Sequence, residues 1–262
     1  MTSLLIVNPY SGNGGAAELV RAAAGRGFET HVLEDGEDPA EIARGSAADV
    51  LAMAGGDGSL GAVAAVALER DVPFACVPFG TRNHFARDLG LDVDDPLSAL
   101  DGVERRIDVG RIGDRIFLNN VSLGVYARLV HERERHRRRR EALARVRALG
   151  ILARHRHAEH VTIDGEPIAS RVVLVANNAY ELSMLTLGRR ELLDEGLLYL
   201  YAPCGLLRSS WEERSADRFT IDSGTARLRA AIDGEPTELG TPLELRIEPK
   251  ALRVLAPRGP LA

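Results

Sequence analysis

The sequence predicts an α/β plus all-β architecture: a doubly wound, mostly parallel α/β domain over residues 1–108, then an antiparallel β-sandwich over residues 109–262. Three observations carry this reading. Through roughly the first hundred residues, short apolar runs alternate with helical stretches and close on glycine-rich turns, the pattern of a parallel sheet covered on both faces. From about Asp108 the runs are strand-like, spaced by turn residues and mostly without helices, as in a sandwich or barrel. The 262 residues, 45% hydrophobic and 27% charged, suffice for one large core or two modest ones.

In chain order the first part reads as strand 4–7, helix 15–24, strand 31–33, helix 39–47, strand 50–54, an Ala/Val-rich helix 60–68 and strand 74–77. The second part reads as strands 115–119, 161–163, 171–176, 196–202, 218–222, 227–232, 242–247 and 252–255. One helical island, 130–156, interrupts them, and the last strand is placed to return to the first domain. The boundary falls near 107–110. A single short repeat occurs, Ile-Asp-Gly-Glu-Pro at 163–167 and again at 232–236.

A net charge of −5 argues against a protein that coats nucleic acid. Cys76 and Cys204 each sit in an apolar run and read as reduced core thiols of a cytoplasmic protein. The opening apolar run 4–7 is too short for a signal peptide, and no stretch approaches the roughly 18 apolar residues of a membrane span. Lys250 is the only lysine; every other basic residue apart from the histidines is arginine.

The chemistry-bearing residues lie where parallel strands end. Gly55-Gly56-Asp57-Gly58-Ser59 follows strand 50–54 and opens a helix. Glycines let backbone N–H groups approach a phosphate, and the helix turns its positive end toward the anion. Asp57 cannot ligate phosphate itself; it holds Mg²⁺, directly or through water, or accepts from a hydroxyl. The plainer alternative is a tight turn with Asp57 as a helix cap. Two further loops share the edge: Asn8-Pro9-Tyr10-Ser11-Gly12-Asn13-Gly14-Gly15, and Pro78-Phe79-Gly80-Thr81-Arg82-Asn83-His84-Phe85-Ala86-Arg87. Three polar, glycine-bearing loops on one edge point to a phosphate-handling site.

In these loops Asn-Pro-x-Ser-Gly, Gly-Gly-Asp-Gly-Ser and Gly-Thr-x-Asn-x-Phe-Ala-Arg follow in order. The series resembles the bacterial diacylglycerol kinase and sphingosine kinase family, and NAD kinases share its Gly-Gly-Asp-Gly element. The likeness continues through Phe117–Gly124, Asn177-Asn178, Asp194-Glu195-Gly196-Leu197 and Asp233-Gly234-Glu235. It implies an NAD kinase-like nucleotide-binding domain, with ATP held by Asn8, Ser11, Gly12, Gly55, Gly56, Asp57, Gly58, Ser59, Leu60, Gly61, Gly80, Thr81 and Asn83. It implies that Asp57 organises Mg²⁺ and that Glu235, supported by Asp233, is the general base on a lipid hydroxyl. A second, structural Mg²⁺ would lie at Leu192, Glu195 and Leu197, although Glu stands at 195 where the family has Asp. The chain departs again at His84, where the family carries a carboxylate. The resemblance thus leaves three readings: an ATP-dependent lipid kinase, a kinase of another hydroxyl compound such as NAD, or a nucleotide- or lipid-binding protein with weakened catalysis. The other Asp164-Gly165-Glu166 copy reads as a plain hairpin turn.

Residues 131–157 hold ten arginines against three glutamates, a local net charge of +7. The segment reads either as a solvated face or, over residues 133–156, as a contact for anionic lipid at a membrane surface. No aromatic residue interleaves the arginines, so nucleic acid is not the expected partner. An edge strand of either sheet offers a contact for a homodimer.

Overall fold

The computed structural model describes residues 2–11, 14–80, 83–124, 161–168, 170, 172–183, 186–187, 189–203 and 211–258. The helix expected over 130–156, its arginines, Cys204, Gly12 and Thr81 lie outside the described residues. Four parallel strands, β1 (Ser3–Val7), β2 (Glu29–Val32), β3 (Val50–Gly55) and β4 (Phe74–Pro78), pair in the order β2-β1-β3-β4. Helices α1 (Ala16–Ala24), α2 (Pro39–Gly45), α3 (Asp57–Glu69) and α4 (His84–Asp88) follow them in turn. Side chains alternate across the strands. Ile6, Leu51, Met53 and Phe74 pack beneath α2 and α3, while Leu5, Val7, Ala52 and Val77 pack with Leu19 and Ala23 of α1. Burial on both faces explains why these strands are apolar throughout.

The sheet continues. After a 3₁₀ turn at Pro96–Asp101 come β5 (Val103–Ile112), β6 (Arg115–Phe117), β7 (Asn120–Gly124), β8 (Val161–Ile163), β9 (Glu166–Ile168) and β10 (Val172–Asn177). A small ribbon, β11 (Leu182–Ser183) with β12 (Thr186–Leu187), precedes β13 (Leu198–Pro203), β14 (Trp211–Ala216), β15 (Arg218–Asp222), β16 (Arg227–Ile232), β17 (Glu235–Gly240) and β18 (Leu243–Ala256). β18 joins the parallel sheet, with Val254 beside Phe74 of β4, and pairs antiparallel with β5 and β15, which makes ten strands among the described residues. The second sheet has six antiparallel strands in the order β14-β13-β10-β7-β16-β17. Its Val121, Leu123, Val175 and Leu200 pack against Ile163, Phe219, Ile221 and Leu245 of the first sheet, forming the sandwich.

Two differences from the expected strands have physical causes. The runs 242–247 and 252–255 are one strand, its register shifted between Glu248 and Leu252 where Lys250 takes a positive φ of 50°. The run 115–119 ends at Phe117, because the next three backbone N–H groups turn to the Asp233 carboxylate. Residue 108, the expected end of the first domain, lies inside β5. Among the described residues no helix is long and apolar enough to cross a membrane.

β5 and β6 are held by a close fit, in which the fully buried Phe117 ring lies over Gly110, its cross-strand partner. A Cβ at Gly110 would come within 2.5 Å of ring carbons. Gly110→Val should lower the unfolding free energy by about 1–3 kcal/mol, the range for overpacked cores, with an unchanged urea m-value. Loss of only a few tenths would mean that the ring yields freely.

Candidate active site

The ends of β1, β3 and β4 are stitched into one surface, with Asn8 N–H donating to the Ala54 carbonyl at 2.9 Å and Phe79 N–H to Gly55 at 3.3 Å. The Asn8 side chain accepts from Tyr10 N–H at 3.0 Å, which turns the first loop. The second and third loops meet backbone to backbone: a Cβ at Gly80 would lie 2.6 Å from the Gly56 Cα. Asn83, at φ 50°, closes the third loop with its side chain, accepting from Gly80 N–H at 2.8 Å and donating to the Gly80 carbonyl at 2.9 Å. Ser59 Oγ donates to the Gly56 carbonyl at 3.0 Å, and Leu60 is buried beneath α3. The result is a glycine-lined edge at the N-terminus of a 13-residue helix, where Ser59 N–H already donates to the Gly56 carbonyl at 3.0 Å and the N–H groups of Asp57 and Gly58 precede the helical ladder. Gly61 lies one turn further on, and Ser11 borders the first loop.

Asp57 is the first residue of α3 but caps another helix. Its carboxylate accepts from His84 N–H at 3.2 Å and Phe85 N–H at 3.0 Å, at the start of α4. His84 reaches it only through the backbone, and its imidazole is exposed. Among the described residues no ion pair neutralises Asp57.

The two Ile-Asp-Gly-Glu-Pro copies fold alike. Asp164 and Gly165 have φ of 54° and 85°, Asp233 and Gly234 have 49° and 85°, and both pairs turn tight hairpins, β8–β9 and β16–β17. Both φ values are positive, as in the two-residue turn that suits strand twist. Their surroundings differ. Asp164 accepts from Thr220 N–H at 2.8 Å, and Glu166 is exposed on β9, an end strand of the sheet. Asp233 accepts from Leu118, Asn119 and Asn120 N–H at 2.8, 2.7 and 3.0 Å. Glu235 lies against Gly58, where an added Cβ would sit 2.5 Å from the carboxyl carbon; Asp233 Oδ2 stands 3.9 Å from the same point on Gly61. The second sheet thus delivers two carboxylates onto the first turns of α3.

Behind them lies a polar core that the sequence did not announce. Arg190 has no exposed surface. Its Nε donates to Asp88 Oδ2 at 2.7 Å, its Nη1 to the carbonyls of Leu118 at 2.6 Å and Asn177 at 2.9 Å, and its Nη2 to Asn119 Oδ1 at 2.8 Å. The guanidinium also lies over the Tyr180 ring, 5.5 Å from its centroid. Asn177 Nδ2 donates to the carbonyls of Leu118 and Asp108, and Asn120 Nδ2 donates to Tyr180 Oη at 3.2 Å. Burial pushes the Tyr180 hydroxyl up to about 12, so it stays neutral beside the cation.

The turn over Leu192, Glu195 and Leu197 is satisfied by its own chain. Glu195 Oε2 accepts from Ala179 N–H at 2.9 Å, the Leu197 carbonyl accepts from Asn178 N–H at 3.1 Å, and the Leu192 side chain is exposed. Buried Asp108 accepts from Gly196 N–H at 2.6 Å and Lys250 N–H at 2.8 Å, while the Lys250 ammonium stands 3.3 Å from Asp194. Among the described residues no three acidic, histidine or cysteine side chains converge as a metal cluster. A cation held here largely through backbone oxygens, as the resemblance implies for Leu192, Glu195 and Leu197, would draw on main-chain carbonyls rather than on such a cluster.

Burial pushes the Asp233 carboxyl up to about 6, against three N–H donors that pull it down and with the Asp57 charge adding to the rise. A carboxyl raised in the folded state contributes stability that is full below its unfolded value near 4 and lost as pH climbs through about 6. The advantage of wild type over Asp233→Asn, measured by urea unfolding without metal, should therefore shrink by about 2 kcal/mol between pH 4 and 7. A difference that is flat with pH would show Asp233 to be an ordinary solvated carboxylate.

Residues 2–112 match the family model of the diacylglycerol kinase catalytic domain. The diacylglycerol kinase of Bacillus subtilis is 31% identical over 143 residues, 49% of this chain and 47% of that one. That of Mycobacterium tuberculosis is 32% identical over 124 residues, 42% and 40% of the two chains. A probable lipid kinase, YegS-like, from Pseudomonas aeruginosa is 36% identical over 116 residues, 42% and 38% of the two. The matched segments thus span less than half the length of these relatives. A solved structure of a diacylglycerol kinase from Bacillus anthracis superimposes with a TM-score of 0.70 at 18% identity, covering 98% of this chain and 97% of that one, which shows a shared fold. The segment that carries all three glycine-bearing loops, residues 2–112, is thus the part of the chain that matches the diacylglycerol kinase catalytic-domain family model.

Proposed function

We propose that the chain is an ATP-dependent kinase that, with Mg²⁺, transfers a phosphoryl group to the hydroxyl of a diacylglycerol-like lipid. The observation that carries this reading is the seating of Glu235 against Gly58, which brings a candidate base to the mouth of a phosphate loop. The family of residues 2–112 supports the kinase class, and the names of the relatives support a lipid acceptor. The loop residues Gly55 to Gly61, with Asn8, Ser11, Gly80 and Asn83, hold the nucleotide through backbone N–H groups and the α3 N-terminus. Gly12 and Thr81 complete this set, by resemblance.

The residues present suit Mg²⁺ at Asp57. The carboxylate lacks an ion-pair partner among the described residues, and its charge raises the titration of nearby Asp233. That matches an ion held by one or two carboxylates and completed by phosphates and water. Bound there, Mg²⁺ supplies charge neutralisation on the transferring phosphoryl group. Glu235 takes the proton of the attacking hydroxyl at its exposed carboxylate. Asp233, anchored by three N–H groups, fixes the turn that presents Glu235. Weakened catalysis has one observation in its favour, the exposed His84 imidazole where the family carries a carboxylate.

The protein is read as cytoplasmic, meeting its lipid at a bilayer surface, with residues 133–156 as the anionic-lipid contact. Purified chain given Mg-ATP should phosphorylate a diacylglycerol in anionic vesicles, less so at high salt, and should leave NAD untouched. Chelation of Mg²⁺ should abolish transfer. Glu235→Gln should lower kcat by about 10²–10⁴-fold with nucleotide affinity kept, whereas Glu166→Gln in the matched turn should be neutral. Transfer to NAD alone would shift the reading to another acceptor. Nucleotide binding without any transfer would favour the weakened-catalysis reading.

A further inference from the structure

Arg190 touches neither the glycine loops nor Glu235, so the proposed chemistry leaves it without a role. Yet three of its four side-chain hydrogen bonds lead to one of the site carboxylates. Asp88 closes α4, and the first N–H groups of α4 hold Asp57. Leu118 and Asn119, which accept from Arg190 through a carbonyl and a side chain, are two of the three residues whose N–H groups grip Asp233. We infer that Arg190, paired with Asp88, is a positioning residue for phosphoryl transfer, setting the register between Asp57 at the start of α3 and the Asp233–Glu235 turn of the second sheet. The inference rests on the kinase reading above.

Two arguments separate this from a generic structural tie. A buried ion pair is a poor source of net stability, since apolar residues of similar volume often do as well or better. What an apolar plug cannot do is direct four hydrogen bonds at fixed angles to three separate segments. Lysine cannot do so either, because it is a point charge with three donors, whereas arginine is a planar fork with five. Misplacement of reacting groups by about 1 Å can cost about 10²-fold in rate, so a small shift at Arg190 should appear in turnover before it appears in folding. Arg111 is a suitable comparator: it pairs with Glu248 through two bonds of 2.6 and 3.0 Å, bridging β5 to β18 without touching any of these residues.

The test compares Arg190→Lys with Arg111→Gln on the full chain. Readouts are affinity for a fluorescent ATP analogue with Mg²⁺, single-turnover transfer, and amide exchange at Leu118–Asn120. Arg190→Lys should keep its nucleotide affinity, lose about 10²-fold in transfer rate and exchange faster at those three amides, with β1 and β3 unchanged. Arg111→Gln should change none of the three. The inference is overturned if Arg190→Lys transfers like wild type. It is also overturned if affinity and rate fall together in proportion to lost fold. Should Arg190→Lys not fold, Asp88→Glu, which keeps the pair and displaces it by one methylene, carries the same test. If wild type transfers to no acceptor, the kinase reading falls by itself. The exchange arm then decides alone, and unchanged protection at Leu118–Asn120 would overturn the register role.

Discussion

Burying a guanidinium costs several kcal/mol unless its charge is paired and its N–H groups find acceptors. Arg190 meets that condition only when α4, the β6–β7 turn and the end of β10 arrive together. Two of those segments are held in turn by a carboxylate at the site. α4 begins on the Asp57 carboxylate, and the β6–β7 turn is gathered around the Asp233 carboxylate. The polar core and the candidate site are therefore one construction. The apolar sandwich behind it packs the sheets face to face, and the directional bonds of Arg190 add fixed angles between three segments. Removing either partner strands the other in a place without water, a cost of about 3–5 kcal/mol for buried pairs.

The same logic explains why identical pentapeptides do different work. Asp164 and Asp233 make the same turn and both accept from backbone N–H groups across the sheet. The turn is a property of five residues, but what its glutamate faces is a property of the strand order. Only the β16–β17 turn lies against α3, and only there is the neighbour a glycine. An alanine at Gly58 would occupy the space that the Glu235 carboxylate now fills.

Much of this was legible in the sequence. The parallel strands announce themselves because both faces are buried, and the glycine loops because close backbone approach excludes side chains, as at Gly56 and Gly80. Other parts were not. β5 was missed because Gly110 and the charges at Glu104, Arg105 and Arg106 interrupt the apolar positions Ile107, Val109 and Ile112. β18 read as two strands because Pro249 and Lys250 form its irregularity. α4, at five residues, is too short to show a helical period. Arg190 gave no signal, since two of its four acceptors are backbone carbonyls and its carboxylate lies 102 positions away. A network of this kind has no spacing to read.

The central claim is that carboxylates from the second sheet and the glycine loops of the first make a single site. A crystal structure of the chain with Mg²⁺ and a non-hydrolysable ATP analogue tests it most directly. The account expects the phosphates against the Gly55–Gly58 backbone, the metal at Asp57, and Glu235 facing the terminal phosphate from the acceptor side. Phosphates seated away from the Gly55–Gly58 backbone, or Glu235 turned away from Gly58 with the metal bound elsewhere, would contradict it.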